Sequence, residues 1–392
     1  MTIDVPSRID RAQLTALGAA AILVPLNSTM IAVALPRIAD DFDLSVGRTS
    51  IVVTAYLAVM LVGQPLSGGI SDRLGAVLAL RIALAVFLVS SLAAAFAPTF
   101  PTLVLARVGQ AVAGSLLVPS VQSILRRQTP SDERGRMFGL LGSMLAAGAA
   151  SGPVVGGGLI EAFGWQAIFL VNVPVVAVAL GIRLEPILPA VMSGADRVSV
   201  WNGTFAAAFG VQALTTLGQY LLLLAAPVLL EARGWSSGSI GLGLSALTVG
   251  MIVMGPVGGR LGDVRGRRVP AVVGVAGATG ALAVGAALGS SIGSTALVVV
   301  LLVYGTALGS AIANNTTAAL ESVDELRSGA AAGVLSMSRY VGSIGAAVLI
   351  GLALADDGGG TGLVLLVGAV GSAVAILLAT RLPGRVRPEL GA

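Results

Sequence analysis

Long apolar runs alternate along the chain with short polar or Gly/Pro-rich breaks, and the runs are of nearly one size. A helix needs about 20 mainly apolar residues to cross the hydrocarbon core of a bilayer. Segments of that length fall at 12–36, 48–70, 77–97, 100–125, 135–160, 166–184, 201–231, 237–261, 269–291, 294–320, 328–353 and 361–381. The pattern therefore predicts an all-α membrane protein of about twelve transmembrane helices.

Charge orients these helices. All 23 basic residues are Arg. With the first span starting inside and the rest alternating, eighteen arginines fall on the inner side and three, Arg37, Arg48 and Arg233, on the outer, leaving Arg107 and Arg339 within spans. Loops on the cytoplasmic side carry the basic excess in multi-pass proteins. The expected placement is thus the cytoplasmic (plasma) membrane, with both termini cytoplasmic. Trp165, Trp201 and Trp235 fall at span ends, where an indole ring is expected at headgroup level. Met1 to Arg11 is polar and mixed in charge, and the apolar stretch after it is long enough to span and stay, so no cleaved secretory signal is expected.

Composition narrows the chemistry. Of 392 residues, 56% are hydrophobic and 11% charged, with mean hydropathy +0.95, so the bilayer is the solvent. The chain has no Cys and no His, which excludes disulfides, thiol chemistry and a histidine base, and no metal cluster or cofactor is expected. The pI near 10.3 comes from arginines between spans and does not imply a nucleic-acid partner. The Gly-rich runs lie inside apolar helices and not after strands, so no phosphate-binding loop is present and an enzyme is not expected.

An ungapped internal comparison at an offset of 191 residues pairs Pro36 with Pro227, Ser45 with Ser236, Gly68 with Gly259, Asp72 with Asp263 and Gly75 with Gly266. Two six-helix halves, 1–184 and 201–392, are expected, joined by a cytoplasmic linker over 185–200 that holds Pro186, Pro189 and Gly194. Repeats of this kind place a substrate path at their shared interface near the midplane.

Four motifs carry chemistry. Gly68-Gly69-Ile70-Ser71-Asp72-Arg73-Leu74-Gly75 follows the second span, and Gly259 to Arg268 repeats it after the eighth. Small residues let helix ends approach, and Asp and Arg there can make charge-assisted bonds that one conformation forms and another breaks. The plainer reading is a charged turn that anchors topology. In span 5, Gly148, Gly152 and Gly156 repeat every four residues and make a flat helix face, Gly157 follows them, and Pro153 permits a bend. Arg107 lies inside span 4 with Gln110 one turn on; a charge there costs at least about 2.5 kcal/mol unless it faces a cavity or a partner. Arg339, deep in span 11, raises the same question. The fourth motif runs from Leu26 to Pro36 in the first span, supported by Trp165 to Pro174 entering the sixth.

These motifs together resemble the major facilitator superfamily, and within it the drug:proton antiporter, or drug-efflux, branch. The resemblance covers nearly the whole chain. It implies a cytoplasmic gate latch at Gly68, Asp72, Arg73, Gly75, Gly259, Asp263, Gly266 and Arg267. It implies an antiporter motif at Gly148, Gly152, Pro153, Gly156 and Gly157, which goes with export. Substrate or coupling candidates, on spans expected to line the cavity, are Asn27, Arg107, Gln110, Gln212, Gln219, Asn314, Asn315 and Arg339; each polar one is equally readable as a helix-to-helix hydrogen bond. The chain departs from the pattern twice. Ala76 and Val77 stand where further basic residues are usual, predicting a weaker first latch, and Asn27 stands where the family commonly carries Asp.

The implied function is a secondary active transporter, expected to be a monomer, that exports drug-like molecules or metabolites by alternating access, with protons as the antiported partner. Alternatives are a metabolite or sugar exporter or facilitator without proton coupling, and a non-transporting sensor on the same fold. No carboxylate lies well inside a span. Either an end-placed acid such as Glu161 does the coupling, or the substrate is neutral or anionic and meets Arg107.

Overall fold

The computed structural model describes residues 10–44, 46–49, 51–181, 184, 199–231, 233–235, 237–353 and 361–384. Among these residues the chain is helical with no strand: α1 (Arg11–Asp41), α2 (Val46–Thr49), α3 (Ile51–Leu74), α4 (Ala76–Ala95), α5 (Phe100–Gln128), α6 (Arg134–Phe163), α7 (Ala167–Leu170), α8 (Asn172–Gly181), α9 (Gly203–Glu231), α10 (Ser237–Arg265), α11 (Arg268–Leu288), α12 (Ser294–Glu321), α13 (Ser328–Ala353) and α14 (Thr361–Ala379). The predicted linker lies outside the described residues except for its last two positions.

Helix boundaries follow local chemistry. Asp10 caps α1 by accepting from the Gln13 amide at 2.7 Å while the Gln13 side chain accepts from the Asp10 amide at 3.0 Å, a reciprocal capping box. Thr99 caps α5 with Pro101 in its first turn. Between α3 and α4, and again between α10 and α11, the chain turns at glycines with positive φ, Gly75 at 84° and Gly266 at 87°, a region that penalises any Cβ.

Nine described helices are long and apolar enough to cross a membrane, and the bent helix α6 makes a tenth. The other two of the twelve expected segments are α13 and the pair α7–α8, where the predicted span 166–184 breaks at Val171 into two shorter helices. Large apolar side chains such as Leu66, Val89, Leu242 and Leu377 are more than half exposed, as lipid-facing positions must be. Trp165 departs from expectation. It is turned inward, 4% exposed, its indole N–H donating to Asp41 and its ring packed on Phe42 and Phe169.

The chain forms two compact units, one of residues 1–129, 144–198 and 324–337, the other of residues 130–143, 199–323 and 338–392. In the first, α5 packs on α3 and α4, and α8 on α1 and α4. In the second, α12 packs on α10 and α11, and α14 on α9 and α11. Each pairing has its counterpart one repeat later, so the internal repeat seen in sequence is also a repeat of packing. Each unit also contains the first turns of a helix from the other repeat: the start of α13 belongs to the first unit and the start of α6 to the second.

The glycine face of α6 meets α1. A Cβ at Gly148 would lie 3.1 Å from Ile22, one at Gly156 3.1 Å from Met30, and one at Gly152 1.8 Å from the Thr29 hydroxyl, whereas Gly157 faces open space. The helix bends by 42° across Pro153, where no amide can donate to the preceding turn. Gly152→Ala is expected to destabilise the protein by about 1–3 kcal/mol through overpacking. Thr29→Ala in the same chain should restore part of that loss, read as non-additive shifts in thermal unfolding of the purified protein.

Candidate functional site

A buried polar network runs through the first unit. Arg107, on α5 and fully buried, donates from Nη1 to Gln110 Oε1 at 2.8 Å. Gln110 donates to Ser91 Oγ on α4 at 2.8 Å, and Asn172 on α8 donates to the same oxygen at 3.0 Å. Asn27 on α1 donates to Asn172 Oδ1 at 2.6 Å, so side chains from four helices are linked in one chain. The Arg107 guanidinium lies over the Tyr56 ring at 4.3 Å and near Phe169 at 6.0 Å. Desolvated contacts of this kind are worth about 2 kcal/mol. They leave Arg107 Nε and Nη2 without a hydrogen-bond partner among the described residues. An unmet buried donor costs about 1–3 kcal/mol, more when charged.

The network brings Asn27, Gln110 and Arg107 together, and the remaining candidates lie apart from it. Asn314 donates to the Gly258 and Ser310 carbonyls and Asn315 to the Ala208 carbonyl, the helix-to-helix reading of those residues. Gln212 reaches Thr216 at 3.4 Å, and Gln219 only the sulfur of Met251. Arg339 is half-buried on α13. A cavity of about 950 Å³ lies elsewhere in the first unit, lined by Asp41, Phe42, Arg48, Thr99 and Phe100, and holds none of the predicted site residues.

The two loop motifs form matching structures. Asp72, at the end of α3 and 3% exposed, accepts from the amides of Gly329 and Ala330 at 2.8 Å each, in the first turn of α13. Asp263, at the end of α10, accepts from the amides of Gly135 and Arg136 at 2.8 and 2.9 Å, in the first turn of α6. First-turn amides have no partner within their own helix and carry the positive end of its dipole, so a carboxylate there meets both needs. Glycines permit the approach: a Cβ at Gly68 would lie 2.0 Å from the Gly329 carbonyl oxygen, and one at Gly259 2.0 Å from that of Gly135. Gly69 touches nothing comparable.

The two motifs differ in their arginines. Arg267 is 1% exposed, bonds to Asp263 and grips Glu321 through Nε at 3.2 Å and Nη2 at 2.9 Å. Burial alone would lower its pKa, but bonding to and charge from Glu321 and Asp263 raise it above the ordinary value, so it stays charged. The equivalent position in the first copy is Ala76, buried and apolar. There Arg127 approaches Asp72 at 3.8 Å, and Arg126 donates to Ser328 at 2.8 Å. Arg73, expected in the latch, is exposed and makes no hydrogen bond or ion pair among the described residues.

The family model described as Major Facilitator Superfamily matches residues 17–199 and 208–392. This chain belongs to the major facilitator superfamily. The facilitator is 30% identical to the uncharacterized MFS-type transporter YvkA of Bacillus subtilis, over 88% of this chain and 91% of that protein. It is also 39% identical to the multidrug efflux pump LfrA of Mycolicibacterium smegmatis over 44% of this chain, and 34% identical to the methylenomycin A resistance protein of Streptomyces coelicolor over 50%. Those two matches cover 35% and 41% of the relatives. The human organic anion transporter MFSD10 superposes with TM-score 0.75 at 15% identity, covering 94% of this chain and 99% of that one, which establishes the fold. The facilitator is therefore a multi-pass membrane transporter of that superfamily, and not an enzyme.

Sequence reasoning reached the motif residues and missed Tyr56, Ser91, Arg126, Arg127 and Glu321. Asn172 stood in a quoted motif without a role. None of the missed residues is spaced from its partner in a way the chain displays, since each contact joins different helices. Removing one partner of a buried ion pair costs about 3–5 kcal/mol, whereas an exposed charge is worth under about 1 kcal/mol. Arg267→Ala should accordingly lower the thermal stability of this facilitator markedly while Arg73→Ala leaves it nearly unchanged, measured side by side in one detergent.

Proposed function

We propose that this facilitator exports small molecules from the cytoplasm by alternating access, the halves 1–184 and 201–392 rocking about a central path. The observation that carries this reading is the pair of buried carboxylates, Asp72 and Asp263, each capping the first turn of a helix from the other repeat. Such bonds are short, few and reversible. They are the kind that hold a gate shut in one conformation and are replaced by water in the other. The excess of arginine in the loops on their side supports a cytoplasmic position for these latches.

Outward direction is supported by the glycine face and proline bend of α6 and by efflux and resistance relatives. The resemblance to drug:proton antiporters implies proton exchange. Among the described residues, however, the buried charged side chains include two acids, Asp72 and Asp263, and both sit in the loop motifs, while Arg107 is buried within a span. The family's usual acid position, Asn27, is a neutral amide bonded to Asn172.

The reading is tested with cells loaded with three dansyl amphiphiles matched in size, one neutral, one a sulfonate and one a quaternary ammonium. Expression of the wild-type chain should lower accumulation of at least one severalfold. The Asp72→Asn, Asp263→Asn double variant, inserted at equal level, should abolish the effect. Full activity in the double variant, or no effect of the folded wild type on any of the three, contradicts the proposal.

A further inference from the structure

Arg107 is a full positive charge with no carboxylate against it among the described residues. The ion pairs of Arg127 with Asp72, and of Arg267 with Asp263 and Glu321, do not involve Arg107. Its neighbours are two aromatic rings and an amide. The oxygens of Gln110, Asn172 and Ser91 nearest in the network already accept hydrogen bonds, and Ser91 spends its own proton on the Phe87 carbonyl. The network therefore orients the guanidinium without neutralising it, and two of its donor nitrogens stay open.

We propose that Arg107 is the anion-binding group of the transport cycle and that the exported substrates carry a carboxylate, sulfonate or similar oxyanion. This rests on the efflux reading above and names its substrate class. A planar guanidinium with adjacent free N–H groups matches two oxygens of such an anion. Tyr56 and Phe169 present ring faces beside the same group, suited to the apolar body of an amphiphile. Gln110 holds one side of the fork, so the open nitrogens Nε and Nη2 are aimed in a fixed direction.

The charge balance also assigns the driving force. Binding a monovalent anion neutralises the site, and the loaded carrier needs no bound proton to return to neutrality. A monovalent anion leaving a compartment that is negative inside moves down the electrical gradient. The absence of an acid at Asn27 is then consistent with export driven by membrane potential, without proton exchange.

The test uses the full chain in proteoliposomes and lipid nanodiscs with the same three dansyl probes. Binding of the sulfonate should be about tenfold or more tighter than that of the neutral and quaternary members. Arg107→Gln should remove that preference, bringing the sulfonate down to the affinity of the neutral probe. Arg107→Lys, which keeps the charge but not the fork, should retain part of it. Sulfonate flux should follow an imposed potassium diffusion potential and ignore an imposed pH gradient. Equal or tighter binding of the quaternary ammonium, an equal loss of all three probes in Arg107→Gln, or flux that requires the pH gradient overturns the proposal. Gradient-driven transport of only the neutral or cationic probe overturns it while leaving the efflux reading intact; transport of none, from folded protein, defeats the efflux reading itself.

Discussion

A carboxylate at the end of one helix bonds to the first amides of another, and much of the rest of the structure is arranged to let it. Asp72 and Asp263 are buried, where an unpaired carboxylate is too costly to persist. The starts of α13 and α6 supply two amides each, together with the positive end of a helix dipole. For the contact to form, the helix backbones must nearly touch, which requires Gly68 against Gly329 and Gly259 against Gly135. The loops that follow must then reverse at once, which requires a positive φ at Gly75 and Gly266. Motif, glycine placement and the exchange of helix starts between the compact units are consequences of one electrostatic arrangement used twice.

The two uses are unequal in their side chains. Ala76 and Val77 in place of basic residues lead to the expectation of a weaker first latch; in the structure Arg267 ties Asp263 to Glu321, where the first copy has the buried Ala76. The helix pattern was legible in the sequence because hydrophobic length is a local property, while the break of the sixth segment at Val171 was not. Arg73 shows the limit of motif reading. Its place in the loop suggested a partner for Asp72, but the helix turns it outward, and Arg127, fifty-four positions away, comes closest to that carboxylate. Tertiary geometry decides such contacts, and a single sequence carries no mark of it.

The same distinction applies to the polar candidates. Asn27, Gln110 and Arg107 proved to be one network, joined through Ser91 and Asn172, whereas Asn314 and Asn315 tie α12 to α10 and α9. In a medium without water an amide bonds to whatever it can reach, so its presence in a span says little about function. A guanidinium is different, because packing alone cannot neutralise it. Arg107 sits beside two rings and an amide with no acid against it among the described residues, which is why the proposed substrate charge follows from the energetics of the fold.

The natural absence of cysteine allows the latch to be probed without altering the background. Spin labels at Arg73→Cys and Leu326→Cys, both exposed positions flanking the Asp72 contact, report the separation of α3 from the start of α13 by double electron–electron resonance. The account predicts a dominant short distance in the otherwise wild-type chain in nanodiscs. Introducing Asp72→Asn should shift the population to longer distances. An unchanged distribution in that variant would contradict the claim that the carboxylate holds these helix ends together.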